Sequence, residues 1–546
     1  MKKLLCLLIV LVFACSAMAE VATNELGKTP VVLEDGVTLT VALTQNTDVI
    51  DYATSWTATY WHELSGMTIE PYVMPSADAV SKMTAMVADP NTKLPDIMLS
   101  DVIGSWANLN SFAEAGALVA LDEYFERDSG YSDLFYARCE EAGLDADAVL
   151  NEIRCTDGHI YAFPIYDMKI PNIYCNRAYI NKDFLEALDM EVPTTIDELT
   201  DYLIAVRDGD PNGNGIADEI PMTGTTGWTS NGNALCWLQN MFCYMDGTAN
   251  RYDRLDNTDG ELVPVYDTEE YREFLKYVNM LVSEGLLDVA SFTQSTSEMR
   301  KGLQADVQTA GLMCGSANGF GNNIASWDPI EQPEGYYGTR QVTYWRQNIG
   351  FAFAISKDCE NVEAVVKFAM LGYDGDEVGL CMRYGEPEVD WRYAYEGEES
   401  VFKEMGLAAH IKCLNVTWAV VTDKSWQQST GMPYLADAST HIEVFDGNEI
   451  YGERYHGRSV SMNYMYAPDE TAVAHQLRYT DEELEQWNDK RTALQTYVEE
   501  ATNRFCMGQL DPNSDEDWAA YLAELEKLQY KEIVELDNEV YERMYG

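Results

Sequence analysis

The 546-residue chain is predicted to adopt an α/β fold divided between two lobes, with further helices at its C-terminus. Three observations carry this prediction. The first elements alternate strand, helix, strand, helix, strand; a second set of strand-like stretches returns much later; and the length exceeds what one small core organises. In the first set, Val37, Leu39, Val41 and Leu43 alternate with Thr38, Thr40 and Ala42, the period of a half-buried strand. Ala53, Trp56, Tyr60 and Leu64 then recur at near-helical spacing, and Gly66 ends that helix. Met67 to Val73 is extended, Ser76 is placed to cap a helix holding Ala79, Val80, Met83 and Val87, and Leu94 to Leu99 reads as a third strand. Such alternation builds a parallel sheet covered by helices, whose ligands sit beyond the carboxyl ends of the strands.

Further along, Thr195 with Glu198 marks the start of a helix running to Val206, and Thr268 to Glu284 presents one apolar face stopped by Gly285. Val307 to Met313 and Ile349 to Ile355 are the strand-like pieces assigned to a second sheet. Thr480 and Glu483 form a capping box ahead of a long amphipathic helix, and a last helix carries Trp518, Leu522 and Leu525. The expected division is 37–165 mainly lobe 1, 166–356 mainly lobe 2, and 357–546 cleft-lining segments and C-terminal helices returning to lobe 1.

At the N-terminus, Lys2 and Lys3 precede an apolar stretch from Leu4 to Ala14 too short to span a bilayer comfortably, so it reads as a signal peptide. Two processing routes fit: cleavage after Ala19, or a lipoprotein signal ending before Cys15, which would leave a lipid anchor. Either places the protein outside the membrane, secreted or at the cell surface. Ninety-one acids against 36 bases give a formal charge of -55, which repels phosphate backbones and excludes nucleic acid as a main partner. Twelve cysteines, two of them in the leader, lack the dense spacing of a disulfide scaffold. Cys236 and Cys243 fall in one expected helix, ~10 Å apart at 1.5 Å per residue, too far to pair.

The sharpest local motif is Asp210-Pro211-Asn212-Gly213-Asn214-Gly215-Ile216-Ala217-Asp218-Glu219. Asp210, Asn212, Asn214 and Asp218 put oxygens at positions 1, 3, 5 and 9, Gly215 gives the tight turn at 6, and Ile216 offers a carbonyl at 7. That is a calcium loop, structural in role, with Glu219 as its early acidic ligand. A second register, starting at Asp208, puts Glu219 at position 12; a turn without an ion is the plainer alternative.

For catalysis the chain offers little. Its six histidines show no HExxH spacing, and neither a GxSxG elbow nor a P-loop occurs. Aromatic content, 12 Trp and 34 Tyr, points elsewhere: sugar rings stack their C–H faces on aromatic planes. Most aromatics belong to the core, but Trp228, Trp345 and Trp391 stand on turn-like ground and are stacking candidates.

A succession of motifs resembles the family 1 extracellular solute-binding proteins of ABC importers, in particular their LipO-like lipoprotein branch, related to alginate-binding proteins. It runs through Leu94-Pro95-Asp96-Ile97, Gly116 to Tyr124, Asp157 to Pro164, Ile180 to Leu185, Val192 to Leu199 and the Asp210 loop. The resemblance implies a type II periplasmic-binding-protein-like fold, two lobes closing on an oligosaccharide, and delivery to the transmembrane subunits of a permease, without enzymatic activity. It also implies calcium in the Asp210 loop in the first register. Asp101, Tyr166 and Asp167 sit where that fold presents cleft residues. One departure concerns the cleft: where relatives carry Gly-Ile-Glu-Gly before an aromatic, this chain has Gly385-Glu386-Pro387-Glu388-Val389-Asp390-Trp391. A secreted glycoside hydrolase or lyase and a calcium-dependent adhesion protein are the competing classes.

Overall fold

The computed structural model describes residues 36–545 apart from 175, 226–231, 245–254, 259–260, 346–348, 416–420, 427–430, 446–451, 469–476 and 478. Fourteen strands run through the described residues: β1 (Thr38–Thr44), β2 (Thr68–Met74), β3 (Ile97–Leu99), β4 (Ala162–Asp167), β5 (Ala178–Asn181), β6 (Ile220–Thr223), β7 (Leu255–Thr258), β8 (Glu261–Pro264), β9 (Ala310–Cys314), β10 (Trp327–Pro329), β11 (Gly350–Ile355), β12 (Trp391–Tyr393), β13 (Ile411–Cys413) and β14 (Leu435–Ala436). Six form the lobe 1 sheet, in the order β14-β4-β11-β3-β1-β2, and four the lobe 2 sheet, in the order β10-β5-β9-β6.

β1 pairs in parallel with β2, from Thr38 opposite Thr68 to Thr44 opposite Met74, and with β3 on its other side. Successive side chains of a strand point to opposite faces. Leu39, Val41 and Leu43 therefore join Trp61, Phe163 and Phe353 in one core, while Ala42 joins Met98, Phe112 and Ala354 in the other. The helix Trp56–Ser65 starts where the Ser55 hydroxyl accepts the Ala58 amide, and ends at Gly66 with φ 71, a conformation that suits a residue without Cβ. Ser76 does not cap: its hydroxyl donates to the Gln45 carbonyl, and the helix Ala79–Ala88 starts after Asp78. Thr195 does cap, but Glu198 turns back to Thr194, whose amide and hydroxyl both lie 2.8 Å from Oε2. The reciprocal capping box forms in full at Thr480 and Glu483.

Two expectations about lobe membership are corrected. Ile349 to Ile355, assigned to the second sheet, supplies β11, which runs antiparallel between β3 and β4 in the lobe 1 sheet. Five of its six residues are buried, and a continuous apolar run of that kind suits a central strand covered on both faces. The C-terminal helices pack on lobe 2, not lobe 1. Leu494, Val498, Ala501 and Phe505 of the helix Asp481–Cys506 enter the core built by Tyr271, Phe274 and Leu281 of the helix Glu269–Ser283, joining two apolar stripes of three and four spacing. Tyr271 and Thr502 hydroxyls lie 2.7 Å apart, and Arg272 donates to Asp515 at 2.8 Å and to the Pro512 carbonyl at 2.9 Å. A further helix, Tyr530–Tyr545, is tied to the long one by the buried Arg491–Asp537 ion pair.

The main chain passes between lobes three times. It leaves lobe 1 after β4, returns between β10 and β11, and leaves again after β14 for the helix Gly452–Asn463, which packs on β10. Cys236 lies in the helix Ala234–Gln239 and Cys243 beyond its end, so one helix does not hold both. Burial pushes the Cys139 and Cys155 thiols up to about 12, leaving them protonated and unreactive.

Candidate ligand-binding site

The carboxyl ends of β1, β3 and β4 converge at one end of lobe 1, where the chain crosses to lobe 2. Asp101 follows β3 and accepts from the Thr44 amide (3.1 Å) and hydroxyl (2.7 Å) through Oδ2. It thus ties the end of β3 to the end of β1, and one of the oxygens expected to receive a sugar hydroxyl is already used. The loop after β1 is held by Tyr52, whose hydroxyl donates to the Thr44 carbonyl at 3.2 Å and accepts the Asn46 amide at 2.6 Å. A second loop lies against it: Ile50 donates to the Thr422 carbonyl (3.0 Å), Thr422 to Asp48 (2.8 Å) and Trp56 to Asp423 (2.8 Å).

Tyr166 and Asp167 close β4 beside this pair of loops. Tyr166 is half-buried, and its amide donates to the Tyr434 carbonyl at 2.9 Å. Asp167 is a counter-ion within the crossing: it contacts Lys169, and its Oδ1 lies 2.8 Å from His441 Nε2. The other ring nitrogen of His441 is 3.2 Å from the Tyr384 hydroxyl. Burial opposes ionisation of Asp167, but the Lys169 charge, the His441 ring N–H and the Arg383 charge override it and hold the carboxyl well below its ordinary value. For His441 burial dominates and pushes the imidazole down to about 4, against the pull of Asp167. At neutral pH the cluster is therefore a carboxylate between two cations, with a neutral imidazole bridging the first and third crossings.

Of the tryptophan candidates, Trp345 is half-buried on the second crossing, with its amide donating to the Ile173 carbonyl at 2.6 Å. Trp228 lies outside the described residues. Trp391 is a correction: it is 0% exposed, sits edge-on to Tyr393 with centroids 5.2 Å apart, and donates its indole N–H to the Gly385 carbonyl at 3.0 Å. The turn at Gly385 folds the ring inward, so it is a core residue with no face for a sugar.

Two half-buried tryptophans were not singled out as stacking candidates in the sequence. Trp56 opens the helix after β1 and is stacked on Tyr60 at 4.8 Å and 14°. Trp106 opens the helix Trp106–Glu114 after β3 and braces its ring against the edge of Phe351, 4.8 Å away. Each follows a serine whose hydroxyl caps the helix. That repeated Ser-Trp pair just past a strand was the available signal.

The Asp210 loop stands apart, joining the helix Ile196–Asp208 to β6 at the end of lobe 2 away from the strand's carboxyl terminus. Its polar groups already converge. Asp210 accepts from the Asn214 and Gly215 amides, each at 3.0 Å, and Asp218 accepts from the Asn212 (3.2 Å) and Asn214 (3.1 Å) side chains. Gly213 and Gly215 take φ of 68 and 76. Both carboxylate oxygens of Glu219 are buried without a hydrogen-bond partner, a costly arrangement unless a cation or water completes it. Among the described residues no three His, Cys, Asp or Glu side chains converge as metal ligands, so an ion here would draw on amide and backbone oxygens as well.

Comparison with known proteins places this geometry. Residues 46–370 match the family model described as bacterial extracellular solute-binding protein. The chain is similar to the fructooligosaccharide ABC transporter substrate-binding protein FusA of Streptococcus pneumoniae serotype 4, 32% identical over 222 residues, 39% of this chain and 40% of FusA. Lipoprotein LipO of Bacillus subtilis is 34% identical over 111 residues, 20% of each chain. The matched stretches thus span less than half the length of either curated relative. Over nearly the whole chain the fold resembles S. pneumoniae FusA in complex with kestose (TM-score 0.73, 20% identity, 93% of this chain and 99% of that one). It also resembles alginate-binding protein AlgQ2 without calcium ion (TM-score 0.65, 17% identity, 94% and 99%). With more than half of its length matched by the family model, the chain belongs to the bacterial extracellular solute-binding proteins.

Proposed function

We propose that this chain is the solute-capturing component of an ABC importer, closing two lobes on an oligosaccharide and handing it to the transmembrane subunits of a permease without chemical change. The observation that carries this reading is a family match extending over strands of both sheets, 46–370, supported by a relative that binds fructooligosaccharide. No helix among the described residues is long and apolar enough to cross a membrane. The ligand would meet Tyr166, Trp345 and the lobe 1 tryptophans Trp56 and Trp106, favouring the closed state by binding it more tightly than the open one.

The test is a thermal-shift screen of the full-length mature protein against oligosaccharides, with chromatography of each ligand afterwards. A true ligand at a hundredfold excess over Kd adds about 2.7 kcal/mol of stability and is recovered intact. Shortened products from the same incubation overturn the reading in favour of a hydrolase or lyase.

The Asp210 loop is proposed to hold calcium. Its donors suit a hard cation: Asp210, Asn212, Asn214, Asp218 and Glu219 through side-chain oxygens, Ile216 through its carbonyl. The buried oxygens of Glu219 are the strongest support, and a FusA EF-hand mutant among the similar structures points the same way. The ion would staple the helix Ile196–Asp208 to β6. Chelation is expected to lower the melting temperature and added calcium to restore it; equal melting of chelated and calcium-loaded protein removes the assignment.

A further inference from the structure

Resting on the carbohydrate reading above, we propose that the cargo is an uncharged glycan and that the cleft end of the molecule rejects anionic sugars. The inference comes from where the charges go. Closing two lobes on a carboxylated sugar removes its charge from water, and such a group is tolerated only when a cation or several donors meet it. Among the described residues, three cations on the crossings and cleft-end loops, Lys169, Arg340 and Lys424, are each already paired with an acid. Lys169 is engaged by Asp167; Arg340 lies 2.5 Å from Glu331; Lys424 lies 3.1 Å from Glu386. Arg177, 3% exposed, donates inward to the Pro171 carbonyl. A sugar carboxylate that took Lys424 would strand Glu386 in its place, an exchange with no net gain.

The acids lie the other way. Asp48, Asp51 and Asp423 stand on the two loops zipped together by the Val49–Thr422 pairing, and Asp51 and Asp423 are exposed. Carboxylates accept hydrogen bonds from sugar hydroxyls without penalty, so this lip suits a polyol; it repels an approaching anion, and the formal charge of -55 adds to the repulsion at long range. The two effects act together: the approach is disfavoured by the lip, and the bound state by the acids already paired with Lys169, Arg340 and Lys424.

Isothermal titration of the full-length mature protein decides the matter, with neutral oligosaccharides (fructo-, xylo- and manno-) set against oligogalacturonates and oligoalginates of equal length, at low and high salt. The expected result is a neutral ligand bound at least about 100-fold more tightly than any uronide, with residual uronide binding that strengthens as salt screens the repulsion. Glu386→Gln, which releases Lys424, is expected to narrow that gap. Uronide binding that equals or exceeds neutral binding, or that weakens with salt, overturns the inference while leaving the carbohydrate reading intact. Failure of both classes to bind overturns both. A gap that Glu386→Gln leaves unchanged refutes the pairing of Lys424 as its cause.

Discussion

Trp391→Ala is expected to destabilise the protein by about 3–5 kcal/mol, the range for emptying a buried aromatic site, while the folded fraction keeps its affinity for the proposed oligosaccharide. The ring is wholly enclosed, and it stands beside Asp390, itself 2% exposed. That carboxylate accepts the Glu386 amide at 2.9 Å, and a Cβ on Gly385 would lie 2.7 Å from its Oδ2. The Gly385 turn, with φ +91, is therefore packed around Trp391 and Asp390. Trp391→Phe, which keeps most of the apolar volume, is expected to recover much of the loss. Urea unfolding and titration calorimetry on the same variants separate the two roles. A collapse of affinity at unchanged stability would return Trp391 to the cleft.

Asp167→Asn is expected to cost about 3 kcal/mol, near the lower end for breaking a buried ion pair, because Lys169 and Arg383 would face each other with no counter-charge. The pH dependence follows from the depressed carboxyl. A group whose folded pKa lies below its unfolded value contributes stability above the unfolded value, about 3.9, and loses it as pH falls through the folded one. The difference between wild type and variant should thus be constant from neutral pH to about pH 5 and shrink in stronger acid. His441 adds a separate acid sensitivity. Its imidazole is buried neutral with a pKa of about 4, so the unfolded chain takes up a proton first, and wild-type stability declines from about pH 6.5 downward. Denaturant titrations at a series of pH values measure both effects; a stability gap between wild type and the Asp167→Asn variant that widens in acid would contradict the assigned charge state.

Much of the fold was legible because its signals are local. Period-two alternation located β1, helical spacing located the helices Trp56–Ser65 and Glu269–Ser283, and Thr480 with Glu483 announced the long tail helix. Partnership was not legible, because an apolar stripe states that a face is buried and not against what. Hence β11 was assigned to the wrong sheet, and the tail helices to the wrong lobe. The site shows the same division. Asp101, Tyr166 and Asp167 do lie at the carboxyl ends of strands, as the fold rule requires, yet the partners that occupy the two aspartates, Thr44 and His441, are 57 and 274 residues away in sequence. Trp391 misled because a turn residue is exposed by default, and nothing local reveals that the Gly385 turn folds its ring into the core.

The antiparallel strand β11 has a further effect, on how the chain is made. It alone joins β3 to β4, and it is synthesised only after all four strands of the other sheet; β14, the last strand, follows at Leu435–Ala436. A nascent chain that has emerged as far as Asp167 therefore holds one sheet in two unjoined pieces, and every strand of the lobe 2 sheet must follow before β11 joins them. Long-range closure of this kind delays folding. The connectivity thus keeps the lobe 1 sheet open until the other sheet is complete, so the two lobes cannot fold one after the other along the chain.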